Sequence, residues 1–337
     1  MNDKTDDQTN NSRRDFIRNS TSLGAGLVGA TLLAQASSAA QPQAGSGSAS
    51  GLRQTSAAKL RRLVEARKLF PTPVIHDAYS AKLSEHHGFQ CVFAGGLPIA
   101  QSTYGIGDYG MISITELIEF ASRIQGMLDI PVMADADDGG GNPLNVIRTV
   151  RSYEHAGVGG FMMEDMYGAK HVPRIREGMV STIPAFVDKI KAALDARRDK
   201  DFVVLIRTDA LSAKEPMSQV EDRVAAYAEA GADMLFVAGL PMTEVPRLTK
   251  LTGKPFMATT AQVPLATQVQ NQVVLGSISV PLVSLAAGAV HKALGELKQT
   301  GIIEEFKERS LPADVQAQIL DSAGAAKAAT DYNSFRT

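Results

Sequence analysis

The stretch IPVMADADDGGGN, residues 130–142, carries the clearest structural signal in the chain. Its apolar run ends in three carboxylates, Asp135, Asp137 and Asp138, and three glycines follow directly. An apolar strand that stops at clustered carboxylates and then at a flexible loop can present hard oxygen ligands to a divalent cation. The stretch therefore predicts a buried strand with a Mg²⁺ or Mn²⁺ site at its carboxyl end.

A second carboxylate pair, Glu164 and Asp165, follows another apolar run. Residues two apart in an extended chain point the same way, so Asp135 and Asp137 are expected to share one face. Neighbouring strands lie about 5 Å apart, which places Glu164 beside that pair. Three carboxylates this close repel one another unless a cation lies among them, and these three are the predicted metal ligands. The alternative is a solvated acidic turn in which Asp138 caps the next helix.

Short apolar runs alternate with helical segments eight times along the chain. Continuous apolar runs are typical of parallel strands buried on both faces, and eight right-handed βα units close into a barrel. The predicted strands span residues 73–77, 90–94, 130–134, 160–163, 202–206, 234–237, 255–257 and 273–275. The expected fold is α/β, a (β/α)₈ TIM barrel with extra C-terminal helices. An open doubly wound sheet is the alternative, but the three glycines lack the G-x-G-x-x-G spacing.

Polar residues and glycines follow several of these strands, at the rim that carries active sites in such barrels. Arg207 suits a bidentate clamp on a substrate carboxylate, unless it forms an internal ion pair with Asp209 or Glu164. Gly95 and Gly96 can offer backbone N–H groups to an anion, although a glycine pair alone is more often a turn. These residues are the predicted substrate-binding set.

Two loops are expected near the same rim. Asp108 lies in a Gly-rich loop. Lys170 lies in segment 167–178, whose basic composition predicts either a mobile loop over the site or a solvated basic loop. His76, placed inside the first strand, is expected to be a satisfied core histidine. Cys91, placed inside the second, is expected to be buried and inert.

The composition excludes some functions. The chain has 337 residues and a net charge of −2, which gives no reason to expect nucleic-acid binding. Its single cysteine excludes an internal disulfide. The stretch SRRDFIR, residues 12–18, resembles a twin-arginine export motif, and a mildly apolar run and a small-residue cleavage site follow it. A membrane anchor is the alternative, but the run is short and weakly apolar.

The predicted organisation has four parts: a twin-arginine signal peptide over 1–36, a flexible spacer over 37–56, the barrel over 57–300 and a C-terminal helical extension over 301–337. The predicted location is the periplasm, without membrane association once the signal is removed.

Several motifs together resemble the isocitrate lyase / phosphoenolpyruvate mutase superfamily. They are Asp135-Ala-Asp137 with its Gly-rich loop, the segment 160–165, and Arg207-Thr-Asp-Ala210 after its strand. The resemblance spans about residues 60–294. It implies a Mg²⁺-dependent barrel that is usually a homotetramer, with a C-terminal helix swapped between subunits. Members make or break C–C or C–P bonds beside an α-keto acid, through an enolpyruvate-like species.

The resemblance also implies roles for single residues. Asp135, Asp137 and Glu164 hold the metal, directly or through water, and Gly95 and Gly96 bind the keto-acid oxygens. Three further roles are implied for side chains: Arg207 binds the carboxylate, Asp108 is the acidic loop residue near the metal, and Lys170 is the lysine of the gating loop.

The chain departs from the family's lyases in the half of the site that handles protons. Their Lys-Arg-Cys-Gly-His gating motif is replaced by KHVPR, residues 170–174, so that Val172 stands where the cysteine would be. Their glutamate after the sixth strand is replaced within Val237-Ala-Gly239. The hypothesis is a Mg²⁺-dependent C–C lyase on a small 2-oxo or 2-hydroxy dicarboxylate, such as an oxaloacetate decarboxylase or a 2-methylisocitrate lyase-like enzyme. The alternatives are a phosphonomutase or phosphonopyruvate hydrolase acting on a C–P bond, and an inactive carboxylate-binding barrel.

Overall fold

A computed structural model describes residues 54–166, 179–278 and 281–332. The chain divides into two units, residues 1–51 and 52–337, and all described residues belong to the second. The structure below is that of the second unit.

Eight parallel strands close into a barrel in chain order, with the last strand paired to the first. They are β1 (Phe70–Ile75), β2 (Val92–Ala94), β3 (Val132–Asp135), β4 (Gly160–Glu164), β5 (Val203–Thr208), β6 (Met234–Val237), β7 (Phe256–Thr259) and β8 (Leu275–Ile278). The register places Asp135 opposite Met162, and Glu164 opposite Arg207. The predicted (β/α)₈ barrel is confirmed, and the carboxyl ends of its strands meet at one rim.

Helices surround the strands. Between residue 56 and β8 they are α1 (Ser56–Glu65), α2 (Ala78–His86), α3 (Gly96–Ile99), α4 (Ile114–Gln125), α5 (Pro143–His155), α6 (Ile183–Ala196), α7 (Met217–Glu229), α8 (Val245–Thr252) and α9 (Leu265–Gln270). A π-helical turn, Ala100–Tyr104, continues α3. After β8 the described chain forms α10 (Pro281–Thr300), α11 (Phe306–Arg309), α12 (Ala313–Ile319) and α13 (Ser322–Asp331). Within the described ranges, no helix has both the length and the apolarity needed to cross a membrane.

The start of α5 explains how the Gly-rich loop ends. Asn142 is the N-cap, and its side-chain oxygen accepts from the backbone N–H groups of Leu144 and Asn145 at 2.9 and 3.2 Å. Pro143 follows at the first helical position, where its missing N–H costs nothing. Asp138 therefore does not cap α5. It forms an ion pair with Lys189 of α6 at 3.2 Å.

The core has two layers because successive strand residues face opposite sides of the sheet. One layer fills the barrel and includes Phe93, Met162 and Phe236. The other lies between sheet and helices and includes Tyr153 and Phe186. The same alternation directs the residues at the strand ends. Side chains in step with the inner layer reach the mouth of the barrel, and their immediate neighbours face the helices.

Two predicted strands are displaced along the chain, the first toward the N-terminus and the eighth, expected at 273–275 but observed at Leu275–Ile278, toward the C-terminus. The first was expected at 73–77, but β1 is Phe70–Ile75, and its first four residues pair with β8. Its two prolines, Pro71 and Pro73, lack the N–H that a strand normally donates and hid the early start. His76 consequently lies beyond β1. Its buried Nδ1 has no hydrogen-bond partner among the described residues, so the prediction of a satisfied histidine inside the strand was wrong.

Cys91 matches its prediction more closely. It lies one residue before β2 and is fully buried. Burial raises the pKa of its thiol to about 12, so the unreactive protonated form dominates at neutral pH.

Candidate active site

A cavity of about 210 Å³ opens at the rim where the strands end. Five of the residues predicted to form the site line it: Gly95, Gly96, Asp108, Asp135 and Arg207. The rest of the lining is mainly apolar and comes from the barrel's inner layer, with the hydroxyl groups of two further residues: Val74, Phe93, Leu97, Pro98, Met162, Phe236, Ala238, Gly239, Met257, Thr259 and Ser277. The cavity therefore suits a small ligand that carries charged groups.

Three hydrogen bonds hold Asp135, a carboxylate that lines this cavity. It is the last residue of β3 and is buried. Its Oδ2 accepts from the backbone N–H of Gly96 at 2.9 Å, and its Oδ1 accepts from that of Asp137 at 3.2 Å. Behind it, the hydroxyl of Tyr153 donates to its carbonyl oxygen at 2.5 Å. Burial, with the nearby charges of Asp135 and Asp137, raises the pKa of Tyr153, which keeps that hydroxyl a donor.

The backbone from Asp135 to Asp137 is not extended, so the premise on which the two side chains were expected to share a face was wrong. The strand ends at Asp135, and Asp137 adopts a left-handed backbone with φ 44°. An extended chain would have kept the two side chains parallel, but this turn breaks the alternation. The carbonyl oxygen of Asp137 accepts from the N–H of Glu164 at 2.7 Å, so the loop remains beside β4.

Arg207 forms the internal ion pairs that were considered as an alternative to a substrate clamp. Its NH1 lies 3.1 Å from Glu164 Oε2, and its NH2 donates to Asp209 Oδ1 at 2.7 Å. The guanidinium also lies 5.6 Å from the ring centroid of Phe236. Burial alone would lower the pKa of Arg207, but Glu164 and Asp209 outweigh it and raise the pKa, so the cation is permanent. Because Arg207 lines the cavity as well, these carboxylates hold it in position at the mouth.

Gly96 brings two carboxylates to one place. A Cβ on this glycine would lie 3.2 Å from Asp135 Oδ2 and 3.9 Å from Asp108 Oδ1. The Gly-rich loop that carries Asp108 therefore does reach the rim. The backbone N–H of Gly96, predicted to bind substrate, is already donated to Asp135.

Among the described residues, a divalent metal would be bound by a pair of carboxylates and not by a group of three side chains. Across residues 54–166, 179–278 and 281–332, no three His, Cys, Asp or Glu side chains are arranged to hold an ion. Mg²⁺, however, is usually bound by one or two carboxylates, with waters and substrate oxygens completing the shell. Asp135 and Asp108 provide two hard oxygen donors beside one spot of the cavity. This pair fits such an ion.

Lys170 and the segment 167–178 around it lie outside the described residues, so the gating-loop prediction stays a prediction. The chain on either side is described: Met166 and Val180 form an antiparallel bridge.

The structure adds polar residues that the sequence reading did not select. Asp165, the second member of the Glu164 pair, is fully buried on the helix-facing side of β4. Burial raises its pKa, and donors from Thr208, Asp209, Tyr227 and Arg223 oppose that rise. Thr208 could have been selected because it is adjacent to Arg207 in the sequence. Nothing local in the sequence connects Asp165 to a helix nearly sixty residues later.

Comparisons with known proteins agree with the barrel fold. A family model described as phosphoenolpyruvate phosphomutase matches residues 60–302, and the chain belongs to that family. A 2,3-dimethylmalate lyase of Eubacterium barkeri is 39% identical over 181 residues, 54% of this chain and 62% of that protein, under two thirds of its length. A probable 2-methylisocitrate lyase of Corynebacterium glutamicum is 31% identical over 264 residues, 74% of this chain and 83% of that protein.

Among solved structures, a phosphonopyruvate hydrolase in complex with oxalate and Mg²⁺ has a TM-score of 0.74 at 26% identity. The match covers 83% of this chain and 99% of that one. The fold and most of the chain are thus shared with proteins named for both C–C and C–P chemistry.

Proposed function

We propose that the protein is a Mg²⁺- or Mn²⁺-dependent C–C lyase. Its substrate is a small 2-oxo or 2-hydroxy dicarboxylate, cleaved through an enolpyruvate-like intermediate. The observation that carries this proposal is the convergence of Asp108, Asp135 and Arg207 on one small cavity at the barrel rim. The similarity to 2,3-dimethylmalate lyase and to a probable 2-methylisocitrate lyase supports it.

Each part of the cavity has a role in this reaction. Arg207 binds one carboxylate of the substrate, and its two ion pairs orient the guanidinium before the substrate arrives. The backbone at Gly95 and Gly96, which lines the cavity, would bind the keto-acid oxygens, and the Gly96 N–H would then be shared with Asp135. The apolar lining excludes water from the bond that breaks.

The metal would be held by Asp135 with Asp108, and by Asp137 and Glu164 directly or through water. When bound, the ion supplies positive charge against the negative charge that develops on the substrate. Asp135 is prepared for this role, because hydrogen bonds from the N–H groups of Gly96 and Asp137 hold its carboxylate in position.

Decarboxylation of a β-keto acid, one of the reactions proposed, needs a cation and an anion clamp but no dedicated proton donor for a leaving aldehyde. That requirement agrees with the parts present here and with the absence of a cysteine at position 172. A C–P bond enzyme is the second candidate, favoured by the similarity to the phosphonopyruvate hydrolase, which covers 83% of this chain and 99% of that one.

The activity test is to incubate the protein with Mg²⁺ and, separately, oxaloacetate, 2-methylisocitrate and phosphonopyruvate, and to follow pyruvate. Pyruvate from one of the first two is expected. Pyruvate from phosphonopyruvate alone would favour the C–P candidate. Oxalate binding without any turnover would leave the inactive carboxylate-binding barrel.

The metal assignment has its own test, in thermal unfolding with and without Mg²⁺. A ligand at a hundredfold excess over its Kd stabilises the folded state by about 2.7 kcal/mol, so the wild-type melting temperature should rise. Asp135→Ala should abolish that rise, and Asp222→Ala, at an exposed position of α7, should keep it. An undiminished rise in Asp135→Ala would refute the assignment.

We further propose export to the periplasm by the twin-arginine route, supported by the motif at residues 12–18. Replacing Arg13 and Arg14 together with lysine should trap the precursor in the cytoplasm, as fractionation and immunoblotting would measure. Normal export of the double variant would count against the signal.

We also propose that the protein is a homo-oligomer. Helix α10 exposes Leu285, Val290 and Leu294 by 69, 57 and 59%, an apolar surface typical of an interface. Light scattering should give a mass above that of one chain, and a monomeric mass would refute the proposal.

A further inference from the structure

A second polar cluster lies at the rim, on the helix-facing side of the sheet. Its centre is Asp165, which is fully buried and follows Glu164 at the end of β4. Glu164 faces the barrel interior and contacts Arg207, whereas Asp165 faces α7. The two adjacent carboxylates therefore act on β5 from opposite sides of the sheet.

Asp165 fixes three consecutive residues that begin with Arg207. Its backbone N–H donates to the carbonyl oxygen of Arg207 at 3.1 Å. Its Oδ2 accepts from Thr208 Oγ1 at 2.7 Å, and its Oδ1 accepts from the backbone N–H of Asp209 at 2.9 Å. Asp209 in turn holds the Arg207 guanidinium, so both the backbone of Arg207 and one of its ion-pair partners depend on Asp165.

Two residues of α7 hold Asp165 from behind. The hydroxyl of Tyr227 donates to Asp165 Oδ2 at 2.8 Å, and Arg223 NH1 lies 3.4 Å from the same oxygen. Arg223 also donates to the Ser181 carbonyl at 2.7 Å. Its Nε and NH2 donate to the two oxygens of Glu215 at 2.7 and 2.8 Å. This fork leaves the guanidinium of Arg223 little freedom to move.

We propose that the buried network of Asp165, Arg223 and Tyr227 is a positioning device that sets the orientation of the Arg207 guanidinium at the cavity. Through these hydrogen bonds and ion pairs the network reaches one residue that lines the cavity, Arg207. It therefore acts on the substrate only through that residue. Its role in binding a carboxylate rests on the proposed function, but its effect on Arg207 does not.

A comparable network at the opposite end of the barrel provides a matched control. Asp233, just before β6, pairs with Arg61 and Arg197 at 2.7 Å each and accepts from the backbone N–H of Val204 at 2.8 Å. Both networks join a carboxylate, arginine and β5, but this one lies at the amino end of the strand. That end of a barrel contributes to stability and not to the site.

The experiment compares Tyr227→Phe, Arg223→Lys and the control Arg197→Lys. Tyr227→Phe removes one hydroxyl and keeps the ring, and lysine keeps the charge but loses the fork. Each protein is titrated with oxalate at saturating Mg²⁺ by calorimetry, its melting temperature is measured, and its crystal structure is determined. The first two variants should weaken oxalate about tenfold, the effect of one lost hydrogen bond of ordinary strength. Arg197→Lys should stay within about twofold of wild type on the same scale.

The crystal structures provide the readout that does not need a ligand. In Tyr227→Phe and Arg223→Lys the Arg207 guanidinium should move away from Asp209 or Glu164, and in Arg197→Lys it should stay. An unmoved guanidinium in both rim variants, with only lower melting temperatures, would overturn the proposal and leave the network a structural one. If wild type binds no oxalate but the guanidinium moves as described, the proposed function fails and the positioning role stands.

Discussion

Gly96 and Asp135 show how much of the candidate site depends on one missing side chain. The N–H of Gly96 donates to Asp135 Oδ2, and the space where a Cβ would stand lies against both Asp135 and Asp108. A glycine at this position therefore lets the backbone approach a pair of carboxylates closely. The sequence predicted that the glycine pair binds an anion. In the structure the N–H of Gly96 binds the carboxylate of Asp135, an anion of the protein itself.

Gly96→Ala is expected to impair metal binding more than folding. A Cβ 3.2 Å from Asp135 Oδ2 forces that carboxylate to shift by a few tenths of an ångström. The affinity for Mg²⁺ should fall about tenfold, the lower end of what disturbed ligand surroundings cost. Calorimetric Mg²⁺ titration measures it. Gly126→Ala, whose Cβ would meet only backbone oxygens at 3.5 and 3.6 Å, is the control and should bind Mg²⁺ as wild type does.

The loop between β3 and α5 connects the decisive strand to the helix layer. Its three glycines all have positive φ: 86° at Gly139, 85° at Gly140 and 129° at Gly141. With Asp137 at φ 44°, four residues in this loop adopt a backbone that a strand does not have. The sequence predicted a flexible loop at the glycines, but it did not predict that the extended backbone would already end at Asp135.

Gly139→Ala should destabilise the protein more than Gly157→Ala. Both glycines are left-handed, at φ 86° and 74°. A Cβ at Gly139 would lie 2.7 Å from Met163 Sδ and from Val146 Cγ2, whereas at Gly157 it meets nothing within 4 Å. Gly157→Ala should cost about 1 kcal/mol from backbone strain, and Gly139→Ala about 1–3 kcal/mol more from overpacking. Urea unfolding of the two variants measures the difference, and equal losses would show that packing at Gly139 is not the cause.

The two ends of the barrel have different functions. The carboxyl ends of the strands bring Asp135, Glu164 and Arg207 to one mouth, although they stand far apart in the chain. At the amino ends, Asp233 joins α1 through Arg61, and β5 through Val204. The parallel topology thus places the charged residues of the candidate site at one end of the barrel and the Asp233 network at the other.

Asp233→Ala is expected to lower stability and leave ligand binding unchanged. The side chains of Asp233, Arg61 and Arg197 are 12, 14 and 19% exposed, so the change leaves two largely buried cations without their partner. The loss should be about 3 kcal/mol, as for other broken buried ion pairs. Urea unfolding and oxalate titration test the two halves of this prediction. A weaker oxalate affinity with unchanged stability would contradict the division between the two ends.

The sequence alone determined the fold class and five of the residues that line the cavity: Gly95, Gly96, Asp108, Asp135 and Arg207. The alternation of apolar runs with helices predicted a parallel barrel, and the polar residues that end those runs were therefore expected to meet at one rim. It could not determine how those residues are oriented. The left-handed turn at Asp137, the two ion pairs of Arg207 and the burial of Asp165 against Tyr227 are set by packing between elements far apart in the chain. Strand order follows from local periodicity, but side-chain pairing depends on distances that exist only once the barrel has closed.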